Sequence, residues 1–380
     1  MNLAEMLSYA DIRQLNAIAR HYACECSGHS KNELIQSILM TINRKDVFEQ
    51  VVRELSEEDL RFVNSLLFDR RESFSLEDLL ARAKAAVYDN ERKELANPRE
   101  TIAKFKYRGW LFNGCSQKTK YLLQVPRDVK TRFRDTLADY FASRLSYSTT
   151  PPFYRDEESL IADDILVFLK FVYHHEPPLT ADGVMYKRML QQLLERLTVA
   201  DQPLGKGGWR FGYGRRFRDY PNRFSLIYDY CHYHSLIAET EQNLVVTEAG
   251  AAAVVQARRE DMRQIYRFWL RLYKGAIPNL PSLTQWVGLL AKRWVHAPSL
   301  SRLLCPLIKP FYYDSPENIF QERILQMLLH LGVVRIGETE DGAQLVQVTP
   351  LGTELLRGTY VAEEDKIVLP ELPVDSGMTT

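Results

Sequence analysis

The chain has 380 residues, and its 49 lysines and arginines are balanced by 49 aspartates and glutamates, so the formal net charge is zero. Hydrophobic residues make up 46% and charged residues 26%, which is close to an average soluble globular protein. This composition excludes collagen, a mainly disordered chain, a disulfide scaffold and a uniformly basic nucleic-acid binder, but it permits locally basic surfaces. At roughly 100–200 residues per domain, the length predicts two or three domains.

Residues 1–45 are predicted to form two helices separated by a polar break. Ile12, Leu15 and Ile18 recur at helical spacing in the first of them. Ser30 is a suitable N-cap for the second helix, which carries a glutamate three residues later. One interpretation of this segment is a plain helical hairpin that packs on the residues after it.

The same segment carries two short patterns, D-I-R-x-L at 11–15 and S-K-N-E-L-I at 30–35. Together they resemble SAP and helix-extended-loop-helix modules. The resemblance implies a two-helix element that touches the DNA backbone, with Arg13 and Lys31 as contact residues.

Residues 46–150 are predicted to form a winged-helix domain, in which three helices are followed by a β-hairpin. Serine caps and a proline in the first turn of the third helix mark where the helices begin. An Asn-Gly pair at 113–114 is typical of a hairpin turn. The predicted helices cover 57–68, 76–88, 99–107 and a closing helix at 126–145, and the predicted strands cover 110–112 and 121–125.

Residues 151–258 and 259–358 are predicted to be two further winged-helix domains. In each, a hairpin strand ends in the pattern V-T-x-x-G, at Thr247 and at Thr349, where the threonine can cap the next helix. The two threonines are about 100 residues apart, a period that indicates duplicated domains rather than a solenoid. Residues 359–380 are rich in acids and prolines and are predicted to form a disordered acidic tail.

The stretch 205–224 is the first candidate for nucleic-acid binding because it interleaves arginine, aromatic residues and glycine. Arginine binds phosphates bidentately and aromatic rings stack on unpaired bases. In the predicted second domain this stretch leads into the third helix, the element that usually enters a DNA groove. The alternative is that its aromatic residues fill the core of a long loop and its arginines pair with acids. The predicted contacts are Lys206, Trp209, Arg210, Tyr213, Arg215, Arg216, Arg218 and Arg223.

A second group of cations lies on the predicted third helix and hairpin of the first winged-helix domain. The alternative for such a group is an ordinary solvated face. Two residues on a helix of the second domain add to the predicted contacts. The residues of this group are Lys104, Lys106, Arg108, Lys118, Lys120, Lys187 and Arg188.

No pattern in the sequence indicates an enzyme. The phosphate-binding loop, the dinucleotide-binding glycine pattern, the nucleophile elbow and the zinc-protease helix pattern are all missing from the sequence. The pattern H-x2-C-x-C-x2-H at 21–29 matches none of the common zinc spacings. We therefore expect no catalysis, no metal and no cofactor.

The start of the sequence lacks the basic and apolar regions of a secretory signal, and no apolar run approaches the roughly 18 residues of a membrane helix. The five cysteines are thinly spread and odd in number, which fits a reducing compartment. These features predict a cytoplasmic, nucleoid-associated protein that does not contact a membrane.

The patterns P-L-T-x-x-G at 178–183 and V-T-P-L-G-x-x-L-L at 348–356 resemble bacterial proteins with the N-terminal domain of XPB-type helicases. The resemblance implies several winged-helix domains and a setting in DNA repair or processing. This chain differs from those proteins because it has no helicase motor motifs, so helicase activity is not implied.

Together these patterns predict a mainly α protein with small β-hairpin wings and tandem winged-helix domains. The predicted function is non-catalytic binding of duplex, single-stranded or forked DNA, as an accessory factor that recruits a helicase, a nuclease or another DNA-processing ATPase. One alternative is a protein-interaction scaffold, such as an accessory subunit of a DNA-associated ATPase. The other is a transcription regulator.

Overall fold

The fold was analysed in a computed structural model that describes residues 1–26, 30–201, 203–204, 212–362 and 364–369. The protein is mainly helical with small antiparallel sheets, as the sequence predicts. It divides into two compact units, which we call unit 1 (Met1–Leu145) and unit 2 (Ser146–Thr380). Unit 1 therefore holds the predicted 1–45 module and residues 46–145 of the predicted 46–150 domain. Unit 2 holds residues 146–150, the predicted 151–258 and 259–358 domains and the C-terminal segment.

Unit 1 contains nine helices and three short strands among its described residues. The strands form one antiparallel sheet in the order β1-β3-β2. The elements are α1 (Leu3–Tyr9), α2 (Ile12–His21), α3 (Lys31–Ile42), α4 (Lys45–Arg53), α5 (Glu57–Leu67), β1 (Ser73–Phe74), α6 (Leu76–Ala85), α7 (Asn90–Leu95), α8 (Pro98–Tyr107), β2 (Phe112–Asn113), β3 (Leu123–Gln124) and α9 (Arg127–Ala142).

The core of unit 1 is built around Trp110, which follows α8 and is 2% exposed. Its ring centroid lies 4.2 Å from that of Phe133 on α9 and 5.3 Å from that of Phe105 on α8. Phe48 on α4, a helix that the sequence analysis missed, packs on Phe133 at 4.9 Å. This aromatic cluster fixes the C-terminal end of α8 and therefore the start of the hairpin.

The first helices of the chain pack on this core. Helix α2 contacts both α3 and α8, and Ile18 of α2 lies against Gly109 just after α8. Gly109 has a φ of +68°, so glycine is favoured where the chain turns from α8 into the hairpin. The 1–45 segment thus contains three helices, α1, α2 and α3, where the sequence predicts two, and it packs on the residues after it.

Unit 2 holds the remaining elements and two antiparallel sheets, one in the order β4-β8-β9-β7 and the other the hairpin β5-β6. Residues 316–330 form one continuous helical stretch with a π-helical middle, Ile319–Leu325. The other elements are β4 (Phe153–Arg155), α10 (Leu160–His175), α11 (Lys187–Leu194), α12 (Asn222–Tyr233), β5 (Ile237–Glu239), β6 (Leu244–Val246), α13 (Glu248–Val255), α14 (Met262–Tyr273), α15 (Leu280–Leu290), β7 (Val295–His296), α16 (Ala297–Leu304), a 3-10 turn (Cys305–Leu307), α17 (Pro316–Asn318), α18 (Gln326–His330), β8 (Val334–Glu338), β9 (Gln344–Val348) and α19 (Pro350–Gly358).

One order of elements occurs three times along the chain: a helix, a short extended segment, two helices and a hairpin. It is α5, β1, α6, α8 and β2-β3 in unit 1, where the short helix α7 is inserted between α6 and α8. At the end of unit 2 it is α15, β7, α16, the 316–330 stretch and β8-β9, where a 3-10 turn follows α16. In both cases the extended segment pairs with the second hairpin strand, β1 with β3 and β7 with β9. Between them, α10, α11, α12 and β5-β6 are arranged in the same order, and Pro178 bridges to Asn243 at the start of β6.

The two V-T-x-x-G patterns adopt the same local structure. Thr247 caps α13 and Thr349 caps α19, where their Oγ atoms accept hydrogen bonds from the N–H groups of Gly250 at 3.1 Å and Gly352 at 2.8 Å. A Cβ atom on either glycine would lie 2.0 Å from a backbone carbonyl oxygen of the preceding hairpin. Glycine is therefore required at both positions, and the two hydrogen bonds confirm the predicted threonine caps.

The described part of the C-terminal segment, 360–362 and 364–369, is held against α14 instead of being disordered. The N–H of Ile367 donates to the carbonyl of Arg271 at 3.1 Å, and Val361 is 5% exposed. Residues 363 and 370–380 lie outside the described part, so the prediction for them stays a prediction.

Candidate nucleic-acid interface

Helix α12 is the third helix of its segment, the position in which we expected a DNA-contacting element. Its nine consecutive residues from Arg223 to Cys231 are all buried. The helix contacts α10, α14, β5 and α18, all within unit 2. A helix that is buried on every side belongs to the core, so α12 presents no face to a DNA groove in this structure.

Arg223, at the start of α12, is 1% exposed. Its Nη1 lies 2.7 Å from Oδ2 of Asp164 and its Nε lies 3.4 Å from Oε2 of Glu157. The same Glu157 oxygen is 3.0 Å from Nδ1 of His330 on α18. This buried network joins α10, α12 and α18, and it gives Arg223 a structural position with no route to a phosphate.

Arg215 and Arg216 converge on one carboxylate, Glu239 of β5, at 2.5 Å and 3.0 Å. Arg216 also donates to the carbonyl of Asp182 at 2.8 Å, and Tyr228 donates to Glu239 at 2.6 Å. Burial alone favours the neutral acid, but the hydrogen bond from Tyr228 and the charges of Arg216 and Arg215 lower the pKa of Glu239 below its usual value. The ionised acid thus holds both arginines, and Arg216 is buried.

Tyr213 is also part of the core, because it is 2% exposed. Its ring packs on Phe217 and Phe311, and the guanidinium of Arg323 lies 5.0 Å from its centroid. Arg218 is different, since its side chain is 57% exposed and its nearest acid is 3.8 Å away. Lys206, Trp209 and Arg210 lie outside the described residues.

For four of the predicted contacts in this stretch, Tyr213, Arg215, Arg216 and Arg223, the structure therefore matches the alternative interpretation. Aromatic residues fill the core and arginines pair with acids. The sequence could not reveal this, because the acids that hold Arg223 are about 60 residues earlier in the chain.

Helix α8 of unit 1 stands at the same position in its segment as α12, but it buries only Ile102 and Phe105. All three predicted cations, two on the helix and Arg108 directly after it, have partners within unit 1. Lys104 pairs with the buried Asp59 of α5 while its side chain stays 44% exposed, and Arg108 is buried over the ring of Trp110. Lys104 can turn to a phosphate, whereas Arg108 cannot without unpacking the core.

Lys106 connects α8 to the hairpin. Its Nζ donates to the side-chain oxygen of Asn113 at 2.9 Å, and partial burial lowers the pKa of Lys106. Beyond Asn113 the hairpin exposes Lys118, Lys120 and Tyr121. Tyr121 is 79% exposed, and the Nζ of Lys120 lies 4.9 Å from its ring centroid. The hairpin thus carries cations and an aromatic face into solvent.

Two exposed residues of α8 were missed by the sequence analysis. Arg99 lies seven residues, or two turns, before Lys106 and therefore on the same side of the helix. Tyr107 is 56% exposed and comes directly after Lys106. The spacing of Arg99 and Lys106 was the available signal. Lys104, two residues before Lys106, lies on the other side of the helix, towards Asp59 of α5. We use the name basic face of unit 1 for the exposed or half-exposed cations and tyrosines of α8 and the 113–122 hairpin loop, whichever side of the helix they occupy; they are Arg99, Lys104, Lys106, Tyr107, Lys118, Lys120 and Tyr121.

The corresponding elements at the end of unit 2 are acidic. The 316–330 stretch exposes Glu317 and Glu322, and the tip of the β8-β9 hairpin exposes Glu338, Glu340 and Asp341. These carboxylates repel the negatively charged phosphate backbone, so these elements do not offer a second basic face.

The remaining predicted contacts are exposed but scattered. Arg13 lies on α2, Lys31 opens α3, and Lys187 and Arg188 open α11. Their exposure permits phosphate contact; the first two belong to unit 1 and the last two to unit 2.

Within the described residues no group of three or more histidine, cysteine, aspartate or glutamate side chains could hold a metal ion. His29 of the H-x2-C-x-C-x2-H pattern lies outside them. No helix in the described ranges has both the length and the apolar character needed to cross a membrane.

No protein-family model matches the chain, and no curated protein sequence matches it at a significant level. The resemblances to SAP modules and to the N-terminal domain of XPB-type helicases therefore stay predictions.

Proposed function

We propose that the chain is a tandem winged-helix protein that binds DNA through the basic face of unit 1. The proposal is supported by the threefold recurrence of one element order, with the extended segment paired to the second hairpin strand. In this assignment α8 is the third helix and β2-β3 is the wing. Helix three and the wing are the elements that approach DNA in this fold class.

The observation that carries the proposal is the contrast between α8 and α12. Helix α8 keeps Lys104 and Lys106 near solvent beside two exposed hairpin lysines, whereas α12 is buried on all sides. Lysine contacts phosphates as a point charge and carries no sequence information by itself. We therefore expect binding through the backbone, with Tyr121 available to stack on an unpaired base.

A second function is favoured for unit 2, namely docking of a protein partner. The two third helices of unit 2 are α12, which is buried, and the 316–330 stretch, whose exposed side chains include acids. Neither suits DNA, and we propose that this part of the chain binds a protein instead. The resulting role is that of a non-catalytic accessory factor in DNA repair or processing, in which unit 1 holds DNA and unit 2 recruits a helicase, a nuclease or another DNA-associated ATPase.

Fluorescence anisotropy with labelled single-stranded, duplex and forked DNA across a salt series tests the proposal. Binding through phosphates predicts that log K falls linearly with log salt, by about 0.9 per duplex phosphate neutralised. If the protein does not bind any of these DNAs at low salt, the proposal is wrong and the scaffold alternative takes its place.

A further inference from the structure

Helix α14 of unit 2 carries a row of arginines on its outer side. Arg263, Arg267 and Arg271 are spaced four residues apart, so they share one face and lie about 6 Å apart along the axis, at about 1.5 Å per residue. Their side chains remain 51%, 56% and 36% exposed. We call these three residues the arginine row.

The C-terminal segment covers part of this row with one of its acids. Asp365 lies 3.1 Å from Nη2 of Arg267 and 2.6 Å from Nε of Arg271. Arg263 pairs instead with Glu354 of α19 at 3.3 Å. A single carboxylate therefore occupies the space between two guanidinium groups, which is the arrangement that a phosphate would adopt there.

The covering segment is lightly attached. Val361 is buried, and the carbonyl of Ala362 accepts from Nζ of Lys274 at 2.6 Å. From residue 364 to 369 every side chain is half-buried or exposed, and the backbone bond from Ile367 to Arg271 and the ion pairs of Asp365 hold this part to α14. Ion pairs that are partly exposed contribute little to stability, so this part belongs to the low-stability end of the structure.

The tail is also strongly acidic. Residues 360–380 contain five acids and one lysine. Because the whole chain is neutral, the residues before 360 carry a net positive charge. A tethered acidic segment acts at a high effective concentration and competes with free anions for the same cations.

We infer that the arginine row is a second binding surface for the DNA backbone, and that the C-terminal segment covers it as an internal, displaceable competitor. This surface lies in unit 2 and does not depend on the basic face of unit 1. DNA binding at the row and release of the segment are then coupled.

The test compares two charge reversals in the full chain, Asp365→Lys and the matched control Glu340→Lys on the exposed hairpin tip, together with a chain that ends after Ala362. A fluorescein-labelled duplex of about three helical turns is the probe, read by anisotropy from low to high salt. Asp365→Lys and the shortened chain should bind about tenfold more tightly than wild type, with a salt slope steeper by about 2 because two further phosphates are contacted. Thermal melting of each variant checks that it remains folded.

If Asp365→Lys gains no more affinity than Glu340→Lys, and the shortened chain gains none, the segment only braces α14 and the inference is wrong. Adding Arg267→Ala/Arg271→Ala to the shortened chain should abolish the gain; a gain that persists also overturns the inference. Repeating the comparison with Lys106→Ala/Lys118→Ala/Lys120→Ala separates the two proposals. If Asp365→Lys or the shortened chain still gains DNA affinity in this triple variant, DNA binds the arginine row even where unit 1 does not bind.

Discussion

Helices α8 and α12 occupy the same place in the same order of elements, yet one lines the surface and the other forms the core. Helix α8 buries two of its ten residues, whereas α12 buries nine consecutive residues of its twelve. The comparison teaches that the position of a helix in this order does not decide whether it meets DNA. The deciding factor is which face the neighbouring helices leave uncovered.

The difference is visible in the two helix sequences once burial is considered. In α8 the apolar residues Ile102 and Phe105 are three apart and define one stripe. In α12, five of the eight residues from Phe224 to Cys231 are aliphatic or aromatic, and they do not form a single stripe, which is typical of a helix buried on all sides. The arginines that precede α12 suggested a DNA-binding surface, but partners from distant segments hold most of those that the structure describes.

Removing the buried ion pair of Arg223 on α12 should have the largest effect on the free energy of unfolding. Arg223→Met preserves much of the volume but leaves the buried Asp164 without its cation, whereas Glu157 keeps Arg155 and His330 as partners. Removing one partner of a buried ion pair costs about 3–5 kcal/mol, so the free energy of unfolding should fall by that amount in a denaturant titration. Arg218→Ala, an exposed arginine of the same stretch, is the control and should change it by less than about 0.5 kcal/mol. Equal stability of the two variants would contradict the structural position of Arg223.

The next effect concerns DNA binding by the basic face. Lys106→Ala/Lys118→Ala/Lys120→Ala should weaken binding to all DNA sequences alike and make the salt slope shallower by about 3, or roughly 1 per lysine. Anisotropy across a salt series measures both quantities.

The matched variant in unit 2 is Lys187→Ala/Arg188→Ala/Arg218→Ala, which removes the same charge from exposed positions. It should lose much less affinity than the unit 1 variant. If the unit 2 variant lost more DNA affinity than the unit 1 variant, the main DNA contacts would lie in unit 2.

A smaller effect isolates the aromatic contribution of the hairpin. Tyr121→Ala should weaken binding of a single-stranded oligonucleotide by about 1–3 kcal/mol if one base stacks on this ring. Tyr121→Phe keeps the ring and should bind like wild type. If Tyr121→Phe loses as much as Tyr121→Ala, the hydroxyl and not the aromatic face makes the contact.

The smallest effect tests the burial of α12 by pH. Burial raises the pKa of Asp229 to about 7, against the opposing hydrogen bond from the backbone N–H of Arg215. The folded state then keeps a proton that the unfolded chain has lost, so stability falls as the pH rises through about 7. Between pH 6 and pH 8 the free energy of unfolding should drop by about 1 kcal/mol more in wild type than in Asp229→Asn. If wild type and Asp229→Asn lose the same free energy of unfolding over this pH range, the pKa of Asp229 is not raised by burial.

Most long helices and all three hairpins were predictable from local sequence. Serine and threonine caps, the proline that opens α8 and the V-T-x-x-G patterns act within a few residues of the structure that they determine. Helices α1, α4, α7 and α16 and the two- or three-residue strands β1, β4 and β7 were missed. The strands are too short to show a period, and their partners are distant, as when β4 pairs with β8.

The site was less predictable than the fold, because the availability of a charge depends on its partners. Lys118 and Lys120 were identified from the hairpin on which they lie, and the structure leaves them exposed. Arg215, Arg216 and Arg223 were chosen for their density in sequence, but Glu239, Asp164 and Glu157 hold them. Such pairing results from tertiary packing, which a single local pattern does not encode.

Photo-crosslinking can show whether α8 and its hairpin, and not α12, contact DNA, because it reports which residues touch DNA in the unmodified protein. Duplex and forked DNA carrying 4-thiothymidine would be irradiated with the full chain, and the adducts mapped by mass spectrometry. We expect adducts in residues 98–124, which include α8 and the hairpin, and none in 222–233. Adducts confined to α12 and its preceding loop, with none in 98–124, would contradict it.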